Sequence, residues 1–185
     1  MLSINSIAKK IEALSVAIGK AGSLILPILI MTILVNVILR YVFSIGLVEL
    51  EEVQWHLNAI VVMSCLAYTY QVDEHIRVDI FHCRFSPKRQ AWVEILGILF
   101  LFFPYVILVA WHAWEMTSYS WSLREGSPMP SGLPARYLIK GVMALGLSLL
   151  ALQGAAILLR NIAFLIQPNS IPAPSTSVNK GTHHE

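Results

Sequence analysis

Two histidines are the side chains of this sequence that come closest to forming a redox site. His56 lies near the start of one long uncharged stretch, and His112 lies near the end of the next. If these stretches are helices that cross a membrane in opposite directions, both imidazoles lie at a similar depth. Two facing histidines in a helical bundle can ligate a b-type haem. A small haem-binding electron carrier is therefore one interpretation, although there is no second pair and a lone interfacial histidine usually hydrogen-bonds or faces water.

The loop between residues 73 and 83 concentrates side chains that can bind metals. They are Asp73, Glu74, His75, Asp79, His82 and Cys83. Their spacing matches neither the C-x-x-C nor the H-E-x-x-H arrangement of zinc sites. Apolar Ile76, Val78 and Ile80 alternate with charged neighbours, which is typical of a loop that lies at an interface. We therefore predict that this loop binds no metal and lies against the cytoplasmic membrane surface or a partner.

No combination of residues in the sequence is typical of an enzyme. Neither a serine, histidine and acid set, nor a glycine-rich phosphate loop, nor a buried pair of carboxylates can be proposed from it. The long uncharged stretches also lack the acidic residue that a proton or sodium relay through the chain would normally need. We therefore predict a protein without catalytic residues, cofactor or bound metal, whose function depends on helix packing, loop tips or a partner.

One cation and three carboxylates predict an ion pair between two helix ends. Arg40 follows the first uncharged stretch, and Glu49, Glu51 and Glu52 precede the second after a short loop. Because an unpaired charge at the edge of lipid is costly, a pair between Arg40 and one of these glutamates would stabilise the junction. The alternative is that Arg40 extends to the headgroups of the outer leaflet.

Four uncharged stretches determine the predicted fold class. They cover residues 21–39, 53–72, 95–114 and 141–159. A helix rises ~1.5 Å per residue and a bilayer core is ~30 Å thick, so each stretch matches one crossing. A content of 56% hydrophobic and 13% charged residues agrees, because a soluble domain of this size needs more polar surface. We predict an all-α integral membrane protein with four transmembrane helices.

The distribution of lysine and arginine predicts the orientation of these helices. Nine of the 13 lie before the first stretch, between the second and third, or after the fourth, and the other four lie on the opposite side. Cytoplasmic loops carry the excess of positive charge, so both termini are predicted to be cytoplasmic. The net charge of +2 and the lack of a basic stripe argue against a nucleic-acid partner.

Three regions are predicted along the chain. Residues 1–20 carry isoleucine and leucine at helical spacing, which predicts an amphipathic segment on the lipids of the cytoplasmic surface or, equally, an extension of the first helix. Residues 21–166 form the four-span membrane domain. Residues 167–185 are polar and proline-rich, which is typical of a disordered cytoplasmic tail.

Prolines predict irregularities in two of the helices. Pro27 removes a backbone donor and should kink the first span. Ser86 followed by Pro87 predicts the start of the third helix, whose pattern continues to about Trp121. That helix is longer than a bilayer, so tilt, a kink at Pro104 or an extension into the outer aqueous phase must accommodate it.

The fourth span carries small residues at spacings of three and four. The stripe consists of Gly141, Ala144, Ser148, Ala151 and Ala155. Small residues on one helical face let two helices approach closely, which is a main source of association in lipid. We predict that this stripe packs against another helix, either within the chain or in a partner.

Several short motifs lie in a defined order along residues 20–166. They are Arg40-Tyr41, Glu51-Glu52 with Trp55, His75-Ile76-Arg77-Val78-Asp79, Pro87 with Arg89, and Gly132-Leu133-Pro134. In this order and spacing the sequence resembles the small membrane subunit, of DctQ type, of tripartite ATP-independent periplasmic (TRAP) transporters.

The resemblance implies a multi-pass protein of the bacterial inner membrane that works with two partners. These are a much larger membrane subunit, which moves an organic acid by an elevator-like motion driven by a sodium gradient, and a periplasmic substrate-binding protein. The small subunit would be a fixed, non-catalytic scaffold beside the large one. His75, Arg77 and Asp79 would belong to its cytoplasmic loop motif, and the substrate would be selected by the other two components.

Overall fold

The computed structural model describes residues 2–72 and 85–166, which are almost entirely helical. The helices are α1 (Leu2–Ser23), α2 (Leu26–Val42), α3 (Val48–Val72), α4 (Pro87–Gly97), α5 (Phe103–Ser122) and α6 (Arg136–Ile166), with one π-helical turn at Ile98–Phe102. The motif residues His75, Arg77 and Asp79 and the tail from residue 167 lie outside the described residues. The predicted all-α class is confirmed.

Helices α1 and α2 are two parts of one long helical stretch. The break between them consists of Leu24 and Ile25, whose N–H groups still donate to Lys20 O (3.3 Å) and Gly22 O (3.0 Å). Pro27 lies in the first turn of α2. Because proline lacks the N–H that would continue the α1 hydrogen bonds, the interruption falls directly before it. The helix is thus interrupted directly before Pro27, where the sequence predicts a kink, and residue 20 lies within α1.

A second interruption has the same cause. Helix α4 continues through the π-helical turn Ile98–Phe102 into α5, which has Pro104 in its first turn. The Phe103 N–H donates to Ile98 O, five residues back, instead of four. The widened turn fits a proline ring that would otherwise clash with the carbonyl four residues before it.

Two of the predicted helix ends can be compared with the structure. Helix α4 begins at Pro87 as predicted, with Ser86 extended before it, although the serine hydroxyl makes no capping hydrogen bond. Helix α5 ends at Ser122, one residue beyond the predicted end.

The long helices contact each other in a row instead of a closed bundle. Within the described residues, the order of main contacts is α2, α3, α6 and α5, so α2 and α5 lie at the two ends. Helix α1 packs along both α3 and α6, and α4 packs against α6. Consequently α3 and α6 form the centre of the molecule, whereas each end helix leaves most of its surface exposed.

The buried side chains described for α1 belong to small residues, whereas its described isoleucines are half-buried or exposed. Gly19 and Gly22 approach α3 so closely that an added Cβ would lie 2.5 Å from the Cβ atoms of Tyr68 and Ser64, respectively. Ile7 and Leu14, on the apolar face that we predicted to lie on lipid, are about half exposed. The segment therefore has one face packed against the protein and one apolar face open to its surroundings.

Three helical stretches are long and apolar enough to cross a membrane, judged by length and composition over the described residues. They are Ser6–Val42, Pro87–Ser122 and Arg136–Ile166. The remaining predicted crossing corresponds to α3, which is 25 residues long but contains Gln54, His56 and Asn58 in its first half. A crossing by α3 is therefore part of our proposal below.

Candidate functional site at the α5–α6 loop

A cluster of polar groups joins the start of α3 to the α5–α6 loop, residues 123–135. The Glu52 carboxylate accepts a hydrogen bond from the Leu133 N–H (2.6 Å) and another from the Ser127 hydroxyl. The Ser127 N–H in turn donates to Leu133 O at 3.1 Å. One carboxylate near the start of α3 thus holds both sides of the loop. We call these contacts the loop anchor.

Gly132 allows the loop to come this close to α3. A Cβ at this position would overlap Ser127 and would lie 2.9 Å from Glu52 Oε2. Any larger residue would have to displace the serine that donates to Glu52. This contact gives a physical reason for the Gly132-Leu133-Pro134 motif, because the glycine makes room and Leu133 supplies a backbone donor.

A second carboxylate fixes the loop to α5 and α6. Glu125 accepts hydrogen bonds from the Ser120 hydroxyl (2.6 Å) and from the Lys140 ammonium. Its backbone oxygen also accepts from the Arg136 N–H at 2.9 Å, at the first residue of α6. No role was predicted from the sequence for Glu125, Ser127 or Lys140. The sequence pattern that could have indicated these contacts is an acid, Glu125, before a short glycine- and proline-rich segment and a base, Lys140, after it.

The ion pair predicted for Arg40 is made by Glu51. Arg40 Nη1 lies 2.8 Å from Glu51 Oε1, with side chains 58% and 38% exposed. Glu52 is used by the loop anchor, and Glu49 lies exposed in the first turn of α3. Because exposed ion pairs are screened and contribute little, we expect Arg40 to stabilise the α2–α3 junction only slightly.

Hydrogen bonding lowers the pKa of both loop carboxylates. For Glu52 the Ser127 hydroxyl is the main cause and the Leu133 N–H the next, and for Glu125 the main cause is the Lys140 ammonium, followed by Ser120. Both groups lie outside the uncharged stretches. Since each donor favours the charged carboxylate, the loop contacts require ionised glutamates.

We predict that acid weakens the loop anchor. A lowered folded-state pKa means that the stabilisation is present above the ordinary glutamate pKa of 4.5 and is lost as the pH falls below it, through the folded-state value. The melting temperature of the detergent-purified chain should therefore decrease as the pH is lowered below 4.5. A Glu52→Gln, Glu125→Gln double variant should show a shallower decrease, and an unchanged pH profile in that variant would contradict the prediction.

A second set of polar contacts joins the C-terminal half of α6 to α1 and α4. The Ser15 hydroxyl donates to Gln153 Oε1 (2.8 Å), and both residues are fully buried. Arg160 Nη1 donates to Glu12 Oε1 at 2.9 Å. Asn161 Nδ2 donates to Glu94 Oε2 at 2.6 Å. Helix α6 thus holds both α1 and α4. This arrangement was not predicted, although Gln153 is a polar residue inside an uncharged stretch.

A comparison with known protein families identifies the family of this chain. The sequence model described as the DctQ component of tripartite ATP-independent periplasmic transporters matches residues 29–164, from α2 almost to the end of α6. This chain belongs to the DctQ family. No curated protein and no solved structure matches the chain. The resemblance predicted from its motifs is confirmed.

The two histidines of this DctQ protein do not form a haem site in the structure. His56 Nδ1 lies 2.6 Å from Glu52 O in its own helix, and His112 Nδ1 lies 2.9 Å from Glu115 Oε2, also in its own helix. Helix α6 lies between α3 and α5 in the row, so the histidines belong to helices that are not direct neighbours. The haem interpretation therefore has no support. Within the described residues, no group of three or more His, Cys, Asp or Glu side chains could hold a metal ion.

The small-residue stripe of α6 lies partly against α5. Ser148 accepts a hydrogen bond from Trp114 Nε1 at 3.0 Å, and Gly141 lies nearest Thr117 of the same helix. Ala144 is fully buried, whereas Ala151 and Ala155 are half-buried.

Two glycines of α6 that lie outside the stripe also come very close to neighbouring elements. A Cβ on Gly146 would lie 2.7 Å from Met63 Cβ of α3, and a Cβ on Gly154 would overlap the ring of Phe102. Helix α6 therefore uses different small residues for its neighbours on the two sides.

Proposed function

We propose that this DctQ protein is the small, non-catalytic scaffold subunit of a sodium-driven TRAP transporter for an organic acid. The observation that carries the proposal is the open row of helices. Helix α2 is largely apolar, contacts chiefly α3, and buries only Leu29 and Asn36. A helix of this kind needs lipid or a further protein around it. A row with an exposed helix at each end is suited to lying beside a larger membrane subunit.

The end helix α5 supports the same proposal with aromatic side chains. Exposed residues on it include Tyr105, Trp111, Trp114, Tyr119 and Trp121. Tryptophan and tyrosine are enriched at membrane interfaces and at protein interfaces. Both ends of the row can therefore be covered by lipids or by the large membrane subunit.

We further propose that α3 is the fourth crossing and that both termini are cytoplasmic. Helix α3 contacts α1, α2 and α6, so most of its side chains are at least partly covered by protein. Polar side chains are tolerated at membrane depth when they face other helices. With α3 included, the excess of lysine and arginine falls on one side, which we assign to the cytoplasm of a bacterial cell whose inner membrane holds the protein.

The contacts of the polar groups support separate functions for the three components of the transporter. The Glu52 and Glu125 carboxylates hold the α5–α6 loop, and Glu12 joins α1 to α6. The uncharged stretches contain no acid for an ion relay. The substrate and sodium pathway is therefore assigned to the large membrane subunit, and substrate capture to the periplasmic binding protein. The stripe with Ala144 and Ser148 is assigned to helix packing, partly against α5.

Reconstitution tests the scaffold assignment. Liposomes that hold this chain alone should not accumulate an organic acid under a sodium gradient. Liposomes that hold the chain with the large membrane subunit, and with the binding protein supplied outside, should accumulate it. Accumulation by the chain alone, or equal accumulation by the large subunit and binding protein without the chain, would show that the assignment is wrong.

A further inference from the structure

A cavity of about 450 Å³ lies between α3, α5 and α6 beside the α5–α6 loop. Its apolar lining consists of Ala59, Met63, Met116, Ile139 and Met143, and its polar lining of Glu125, Arg136 and Lys140. This volume falls within the ~300–1,000 Å³ typical of small-molecule sites. The cavity therefore has an apolar part for a hydrocarbon group and charged groups beside it.

Three of the apolar lining residues are methionines, one from each helix. Methionine side chains are flexible and polarisable, so they adapt to apolar groups of variable shape. A lipid acyl chain is such a group. A rigid side chain of a partner protein would instead favour a lining of well-defined rotamers.

Arg136 also lines a second, smaller cavity of about 290 Å³. The second cavity also contains Glu51, Glu52 and His56. Glu51 is paired with Arg40 and Glu52 with the loop, and each carboxylate keeps further lone pairs that can accept from an ammonium. The Arg136 guanidinium makes no hydrogen bond with the part of the chain that the structure describes, and it acts on the Glu52 and Glu125 carboxylates only through space. Lys140, by contrast, is paired with Glu125. Arg136 is thus the cation that lines both cavities, and its guanidinium donors are free of hydrogen bonds to the described residues.

The order of groups across the two cavities is apolar, then cationic, then acidic. We propose that they form a site for one aminophospholipid. An acyl chain occupies the methionine cavity, the phosphate accepts hydrogen bonds from the Arg136 guanidinium, and the ammonium lies toward the carboxylates of Glu51 and Glu52. An anionic lipid without an amine would place its headgroup against these two carboxylates, and inorganic phosphate would leave the methionine cavity unfilled. All residues of this site belong to this chain, so lipid binding there does not depend on the transport function proposed above.

Native mass spectrometry of the purified, delipidated full chain tests the site. Dioleoylphosphatidylethanolamine should bind with one molecule per chain, at least tenfold more tightly than dioleoylphosphatidylglycerol, and inorganic phosphate should not be retained. Arg136→Gln should reduce the affinity for the aminophospholipid about tenfold or more, as expected for loss of a charge-assisted hydrogen bond.

A second variant keeps the test independent of the stability of the α5–α6 loop. Ala59→Phe fills the methionine cavity and should also abolish one-to-one binding, whereas Ala17→Phe, at an exposed position of α1, should leave it unchanged. Equal binding of the two lipids, lipid retention by Ala59→Phe, or binding of phosphate as tight as that of the lipid would overturn the proposal. Retention of a partner protein's segment in the cavity, seen by cross-linking from position 59 with the lipid absent, would overturn it as well.

Discussion

Replacing Gly146 with alanine is expected to push α3 and α6 apart and to lower the melting temperature of the detergent-purified chain. The added Cβ would lie 2.7 Å from Met63 Cβ and 2.9 Å from the Met63 backbone oxygen. A backbone atom cannot move aside as the end of a flexible side chain can, so the two central helices must separate. Overpacking of this kind costs about 1–3 kcal/mol.

A matched control separates packing from helix propensity. Alanine is favoured over glycine in a helix by up to about 1 kcal/mol, so Gly146→Ala carries an opposing gain. Gly97 is also helical, and a Cβ there would meet nothing within 4 Å. Gly97→Ala should therefore raise or maintain the melting temperature. If the two variants melt at the same temperature, the α3–α6 contact at Gly146 is not as close as the structure has it.

Gly132→Ala is expected to detach the α5–α6 loop from α3. The new methyl group would occupy the space of Ser127 and crowd Glu52, so the carboxylate would lose both of its loop donors. Loss of hydrogen bonds to a charged group typically changes a local equilibrium about tenfold or more. The loop should therefore open far more often in this variant.

Cysteine labelling measures this opening. In a chain with Cys65 and Cys83 replaced, a Leu133→Cys probe is half-buried and should react slowly with a water-soluble maleimide. Adding Gly132→Ala should accelerate the reaction by roughly tenfold, whereas Gly126→Ala, where a Cβ meets nothing within 4 Å, should not. An equal labelling rate in the two variants would show that Gly132 is not required for the loop anchor.

The helices themselves were predictable because lipid imposes a strong rule on sequence. Charged residues are excluded from helix centres, and each uncharged stretch lies within or largely within a helix of the structure. Pro27 and Pro104 could also be assigned, since a missing backbone donor has a local effect that does not depend on the neighbouring helices. Family membership followed from the order of short motifs.

The arrangement of the helices could not be predicted in the same way. A membrane helix is apolar on several faces, so its hydrophobic pattern does not specify which neighbour lies on which side. The order of the helices in the row could therefore not be predicted from the sequence, and neither could the packing of α1 through Gly19 and Gly22. The sequence also could not distinguish Glu49, Glu51 and Glu52 as ion-pair partners of Arg40. Only the position of Ser127 and Leu133 separates Glu51, which forms the ion pair, from Glu52, which holds the loop.

The central position of α6 has a consequence for biosynthesis. Among the described helices, α1 and α2 have α3 as an early neighbour, but α4 and α5 have only the π-helical turn between them until α6 is made. The ribosome adds about 5–20 residues per second, so the 31 residues of α6 take roughly 2 to 6 s to emerge. During that time the nascent chain consists of a helical hairpin and a separate long helix without a common core. Among the described helices, the one that joins the two halves is thus the last to be synthesised.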